Sequence, residues 1–141
     1  MILLDTDHFS ALQVPAGARR DRLLARMNTS PDGHFAVTAI TLEEQLRGWL
    51  AEIAASPDAA RQVGAYRRLV ELVRFFSAWE IVAFDDAAAA QSVTLRKARV
   101  RIGTMDLKIA SIAVAHDALL LTANTRDFGM VKGLKFENWM D

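Results

Sequence analysis

Apolar and polar positions fall along the chain in blocks whose lengths separate strands from helices. Met1 to Asp5 is an apolar run closed by an acid and too brief for a helix, so it predicts a first buried strand. Residues 19 to 27 put Leu23, Leu24 and Met27 on one side of an arginine-rich helix, and Ser30-Pro31-Asp32-Gly33 has the chemistry of a tight turn. His34 to Thr38 predicts a second strand. It passes directly into a helix, because Leu42, Leu46, Trp49, Leu50 and Ile53 recur at helical spacing through TLEEQLRGWLAEI. Ser56 and Pro57 suit the cap and first position of the next helix, which carries Leu69, Leu72, Val73 and Phe76 on its apolar face and reaches Trp79.

Glu80 to Phe84 predicts a third strand, Ala87 to Arg99 a helix, and Gly103-Thr104 a break in which the threonine caps a helix running to His116. Leu119 to Thr122 predicts a fourth strand, and Leu134 to Phe136 a short fifth one beyond the polar loop NTRDF. Strands that read as continuous apolar runs, separated by helices, require a parallel sheet covered on both faces. The expected fold is an α/β three-layer sandwich with a central parallel sheet of four to five strands, built as one compact domain over residues 1–141.

Composition removes several classes. The 52% hydrophobic content supplies a real core, and 24% charged residues with no repeat argue against disorder and solenoids. The absence of cysteine excludes disulfides and thiolate metal sites. No apolar stretch is long enough to span a membrane, and Asp5 and Asp7 interrupt what would be the apolar part of a signal peptide, so the cytoplasm is expected. Net charge is formally zero, with 17 basic and 17 acidic residues, but the basic residues cluster locally. Arg96, Lys97, Arg99 and Arg101 form one group, and Arg19, Arg20, Arg22 and Arg26 another; such runs are ordinarily solvated helix faces.

The acids are more informative. In open parallel sheets the crevice at the carboxyl ends of the strands is the default ligand site. Asp5 ends the first strand, Glu44 and Asp106 are expected in the first turns of helices opening on that edge, and Asn124 and Asp127 follow the fourth strand. Each has an ordinary explanation: Thr41 and Glu44 have capping-box spacing, Asp106 suits a helix dipole, and Asp127 suits a turn cap. Together, however, carboxylates crowded at one edge raise one another's pKa unless a cation compensates. Hard oxygen donors favour Mg²⁺ or Mn²⁺ over Zn²⁺, and with them phosphate chemistry. His8, His34 and His116 lie on separate elements without zinc-like spacing and are read as packing or surface residues.

The segments LLDTD, ITLEEQLRG, the Gly103-Thr104-Met105-Asp106 entry to IASIAVA, LLLTANTRDF and the closing LKFENW resemble, in order and spacing, the PIN domain of VapC toxins over nearly the whole chain. The resemblance implies a homodimeric endoribonuclease that needs Mg²⁺ or Mn²⁺ and is held inactive by a small VapB-like antitoxin. Carried over by position, Asp5 and Asp106 hold the metal, Glu44 completes the acidic pocket, and Asp127 is the fourth acid. Two departures stand out: Asp7 replaces an asparagine common in relatives, and Asn124 stands where some relatives have an acid. The fourth ligand position therefore stays open between Asn124 and Asp127, as does the number of metal ions. RNA phosphates would meet the basic residues from Arg96 to Arg101. Two rivals remain: a non-cleaving PIN-like module that binds RNA or a partner, and a haloacid-dehalogenase-type phosphatase using Asp5 and Asp7. The latter lacks the late Gly-Asp metal motif.

Overall fold

The computed structural model describes Met1–Asp141. Five strands form one fully parallel sheet: β1 (Ile2–Leu4), β2 (Phe35–Thr38), β3 (Glu80–Val82), β4 (Leu119–Leu121) and β5 (Lys135–Glu137), in the order β3-β2-β1-β4-β5. Seven helices connect them: α1 (Thr6–Gln13), α2 (Ala18–Thr29), α3 (Ala39–Ala55), α4 (Ala59–Ser77), α5 (Asp86–Lys97), α6 (Thr104–Ala115) and α7 (Thr125–Phe128).

Side chains alternate across the strands and so divide the core into two layers. Leu3, Ala36, Val82 and Leu120 point into a cluster covered by α5 and α6, with Leu95, Leu107, Ile109 and Ile112 against them. Ile2, Leu4, Val37 and Leu121 point into the opposite cluster, with Phe9 of α1, Leu23 of α2 and Leu72 and Phe76 of α4. The three-layer arrangement expected from the pattern is thus present. Phe9 anchors the second layer, its ring centroid lying 5.1 Å from Phe75, 4.6 Å from Phe76 and 5.2 Å from Trp79.

Several local expectations are corrected by the caps. Helix α1 has no counterpart in the periodicity, because only His8 and Phe9 of its eight residues are buried and no stripe emerges from so short a segment. Helix α3 starts at Ala39, capped by Thr38, whose hydroxyl accepts the Thr41 N–H at 3.2 Å. Thr41 is therefore buried inside the helix and Glu44 lies beyond its first turn, so the capping box is not used. Ser56 closes α3 rather than opening α4, which Asp58 caps through the Arg61 N–H. Asp85 caps α5, and α6 begins after Gly103 with no side-chain cap, leaving Thr104 as an ordinary first-turn residue. A short polar side chain at the right φ/ψ outcompetes one that merely has the right spacing.

Phe9→Ala empties a fully enclosed aromatic site and is expected to lower unfolding free energy by about 3–5 kcal/mol, measured by urea denaturation. Ile81→Ala, on the edge strand β3 and 38% exposed, is expected to cost less than about 1 kcal/mol.

Candidate active site

Strand order reverses between β1 and β4: the chain winds outward through β2 and β3 in one direction and from β4 to β5 in the other. Such a switch point splays the following segments apart and opens a crevice at the carboxyl ends of the two strands. Asp5 follows β1 and Thr122 follows β4. The ladder continues one step beyond the strands, Asp5 N–H donating to Leu121 O at 2.9 Å, which fixes Asp5 in the mouth of the crevice.

Its carboxylate is held at both oxygens. Oδ1 accepts the Thr6 N–H at 2.7 Å and so caps α1, while Oδ2 accepts the Thr122 hydroxyl at 2.7 Å. Each oxygen keeps a second lone-pair site. The Thr6 hydroxyl donates to Glu44 Oε2 at 2.8 Å, tying the α3 acid to the same corner. Across the crevice, Asn124 Nδ2 donates to Asp106 Oδ2 at 3.2 Å and to Asp127 Oδ2 at 3.1 Å. Asn124 Oδ1 faces the Asp127 N–H at 3.4 Å as the cap of α7. The cap role expected for Asp127 therefore belongs to Asn124, because that residue precedes the helix. Asn124 is a brace between two acids.

These groups crowd negative charge where water is partly excluded. Asp5 is 6% exposed. Burial, then the Asp7 charge and more weakly Asp106, push its pKa up to about 7, against the hydrogen bonds from Thr122 and Thr6. Glu44 is raised by burial first and by Asp106, Glu43 and Asp7 after it, with the Thr6 hydroxyl opposing. Asp106 is raised by burial, then by Asp127 and Asp7, with Asn124 opposing. No lysine or arginine forms an ion pair with Asp5, Glu44, Asp106 or Asp127. No three of the acids converge on one point as a ready-made cage, which is compatible with Mg²⁺, an ion that keeps several waters and takes one or two carboxylates. The donor set is all oxygen, anionic and short of compensating charge. It fits a hard divalent cation.

Asp7 plays a different part. Its Oδ2 accepts the Ala123 N–H at 2.8 Å and its Oδ1 lies 2.7 Å from His8 Nδ1. His8 is fully buried, and its Nε2 accepts the Trp139 N–H at 3.1 Å, so the ring proton sits on Nδ1 and is given to Asp7. His8 is a packing histidine, as its lack of ligand spacing suggested. With both Asp7 oxygens engaged outside the Asp5 contact, the paired-aspartate phosphatase reading loses its second acid. Thr6 and Thr122, which hold the carboxylates, were not singled out in the sequence; threonines flanking an acid at a strand end are the available signal. In the basic run, Arg96 is spent on the loop carbonyls of Val100 and Ile102, while Lys97, Arg99 and Arg101 are exposed and without ion pairs.

Residues 2–134 match the PIN domain family. This chain belongs to the PIN-domain family. It is similar to the tRNA(fMet)-specific endonuclease VapC of Shigella flexneri, 29% identical over 143 residues that cover 97% of this chain and 96% of that protein. The tRNA(fMet)-specific endonuclease VapC of Salmonella typhimurium is 29% identical over 80% of this chain and 79% of its own length. Among solved structures, FitAcB from Neisseria gonorrhoeae and VapBC2 from Rickettsia felis bound to a promoter DNA fragment each superpose with a TM-score of 0.71 at 25% identity. Both alignments cover 99% of this chain, with 98% and 99% of the respective structures. The protein is a PIN domain of the VapC type, and the parallel sheet and switch-point crevice described above are that fold.

Because the Asp5 pKa rises from 3.8 unfolded to about 7 folded, the folded PIN domain binds the extra proton between those values. Metal-free stability therefore falls as pH climbs through that window, by an amount on the order of a few kcal/mol. Asp5→Asn removes the charge but keeps the shape. In EDTA it is expected to melt above the wild type at pH 8 and level with it at pH 4, as followed by circular dichroism. A variant that melts well below wild type at pH 8 would make the carboxylate a stabilising structural group.

Proposed function

We propose that this PIN domain is a metal-dependent endoribonuclease and the toxin of a toxin–antitoxin pair, working as a homodimer restrained by a VapB-like antitoxin. The observation that carries the metal dependence is the set of raised, cation-free carboxylates at the sheet switch point. The cytoplasm, where RNA and the antitoxin meet, is the compartment this reading requires. No helix is long and apolar enough to cross a membrane.

In this reading Asp5 and Asp106 hold Mg²⁺ or Mn²⁺, with Glu44 and Asp127 completing the catalytic acids. A bound divalent ion lowers the pKa of water and offsets charge on the scissile phosphate. The protein's own part is geometric. Thr6 N–H and the Thr122 hydroxyl each fix one Asp5 oxygen and leave a second lone pair on it for a cation. Asn124 holds Asp106 and Asp127 together despite their repulsion. Glu44 Oε1, not bonded to Thr6, is free to accept a proton from the attacking water. Asp127 rather than Asn124 is assigned to the fourth position, because the Asn124 oxygen is turned to the α7 cap.

The non-cleaving alternative drew on Asn124 replacing an acid. The bonds Asn124 makes hold Asp106 and Asp127 side by side across from Asp5, so cleavage is the better-supported reading. The Shigella relative is named for tRNA(fMet), which makes initiator tRNA the first substrate to test, beside total RNA mapped by end sequencing with and without EDTA.

Asp5→Asn and Asp106→Asn are each expected to reduce cleavage at least about a hundredfold while retaining the folded circular dichroism spectrum. Cleavage unchanged in either variant would remove that residue from the site. Asp127→Asn is expected to raise the Mg²⁺ concentration for half-maximal cleavage by about an order of magnitude, while Asn124→Asp lowers it or leaves it unchanged. The reverse pattern would make Asn124 the ligand.

A further inference from the structure

The basic residues of α2 divide into two pairs with different fates. Arg22 Nε donates to Met140 O at 2.6 Å, and Arg26 donates to Asn138 O at 3.1 Å and pairs with Glu137 at 2.9 Å. Those two clamp the C-terminal segment. Arg19 and Arg20, one turn earlier, make no hydrogen bond or ion pair. Arg19 is exposed; Arg20 is half-buried, with its Nε sealed from solvent and lacking any acceptor. A buried donor without a partner is uncommon in a folded protein and calls for an explanation.

Both arginines line a groove of about 320 Å³ whose other walls include Asp7 and Ser10 of α1 and Ala123 of the β4–α7 loop. Ala123 immediately precedes Asn124, and its N–H is bonded to Asp7, so the groove opens beside the acidic crevice. Asp7, the acid lining it, already has both oxygens engaged. The exposed cations Lys97, Arg99 and Arg101 precede α6, on the opposite face of the sheet. The acids therefore lie between two basic margins. Guanidinium groups match phosphate through paired, charge-assisted N–H donors, a geometry that the groove leaves free for Arg19 and Arg20.

We propose that Arg19 and Arg20, which line the groove, bind backbone phosphates of the RNA strand on the α1–α2 side of the scissile bond through their guanidinium groups. This rests on the ribonuclease reading and names part of its substrate-binding surface. Arg22 and Arg26 have no share in it.

The test uses the full-length protein and bulk tRNA as probe. Binding of fluorescein-labelled tRNA is measured by anisotropy in EDTA across a KCl series, and cleavage is measured in Mn²⁺. Arg19→Gln/Arg20→Gln is expected to weaken binding about tenfold and flatten the dependence of log affinity on log salt by about one. KM should rise with kcat held within about threefold. The charge-matched control Arg67→Gln/Arg74→Gln, on exposed positions of α4 outside the groove, is expected to stay within about twofold of wild type. Arg19→Glu alone, at an exposed position, keeps the test decisive if the double variant melts early. Wild-type binding and salt slope in the groove variants, or an equal loss in the control, would overturn the proposal while leaving wild-type cleavage, and so the ribonuclease reading, intact. A wild type that neither binds nor cuts tRNA in any divalent ion would overturn both.

Discussion

The carboxylate of Asp5, buried at the junction of β1 and β4, is the constraint around which the edge of this molecule is organised. An anion in that position is unfavourable by itself, and Asp7 and Asp106 make it more so. The fold nevertheless specifies it closely, with a backbone N–H, a threonine hydroxyl and one extra ladder bond all directed at one residue. Holding like charges close in a partly dry crevice is unfavourable in the metal-free protein, and under the proposed function a divalent ion bound there would relieve that repulsion. The same logic explains the neutral Asn124 between Asp106 and Asp127, since its two N–H donors reduce the repulsion without cancelling the charge.

The second core layer supports this edge from below. Phe9 locks α1 to α4 through the aromatic cluster, and α1 carries Thr6 and Asp7 into the crevice. The buried His8 donates to Asp7 and accepts the Trp139 backbone N–H, and Arg26 lies 4.8 Å from the Trp139 ring centroid. The C-terminal segment is thereby connected to the position of the β4–α7 loop. A short helix with little burial of its own is kept in place by polar bonds at both ends.

The sheet and its layers were legible in the sequence because parallel strands buried on both faces leave uninterrupted apolar runs, and three of the long helices carry periodic stripes. All five strands lie within one residue of where the apolar runs put them, apart from the early end of β3 at Val82. Caps were less legible: Thr41 with Glu44, Ser56 and Thr104 each have suitable spacing or composition, but Thr38, Asp58 and Gly103 hold the actual positions. Spacing does not report the φ/ψ that a cap requires. At the site, Asp5, Glu44, Asp106, Asn124 and Asp127 could be placed at one edge from strand ends alone. The bonds from Thr122 to Asp5 and from Ala123 to Asp7 depend on the β1–β4 adjacency, and the Thr6–Glu44 bond on that of β1 and β2; the threonines are visible in the sequence, but the strand order that gives them these partners is not.

Anomalous diffraction from crystals soaked in Mn²⁺ would show whether the crevice takes up a divalent ion. A peak is expected in the crevice between Asp5 and Asp106, at coordination distances of about 2.0–2.3 Å from a carboxylate oxygen of each, and no peak there when crystals of Asp5→Asn are soaked at pH 8. A crevice that stays empty in the wild type at millimolar Mn²⁺, or a metal bound only elsewhere, for example at Asp85 and Asp86 where α5 begins, would contradict it.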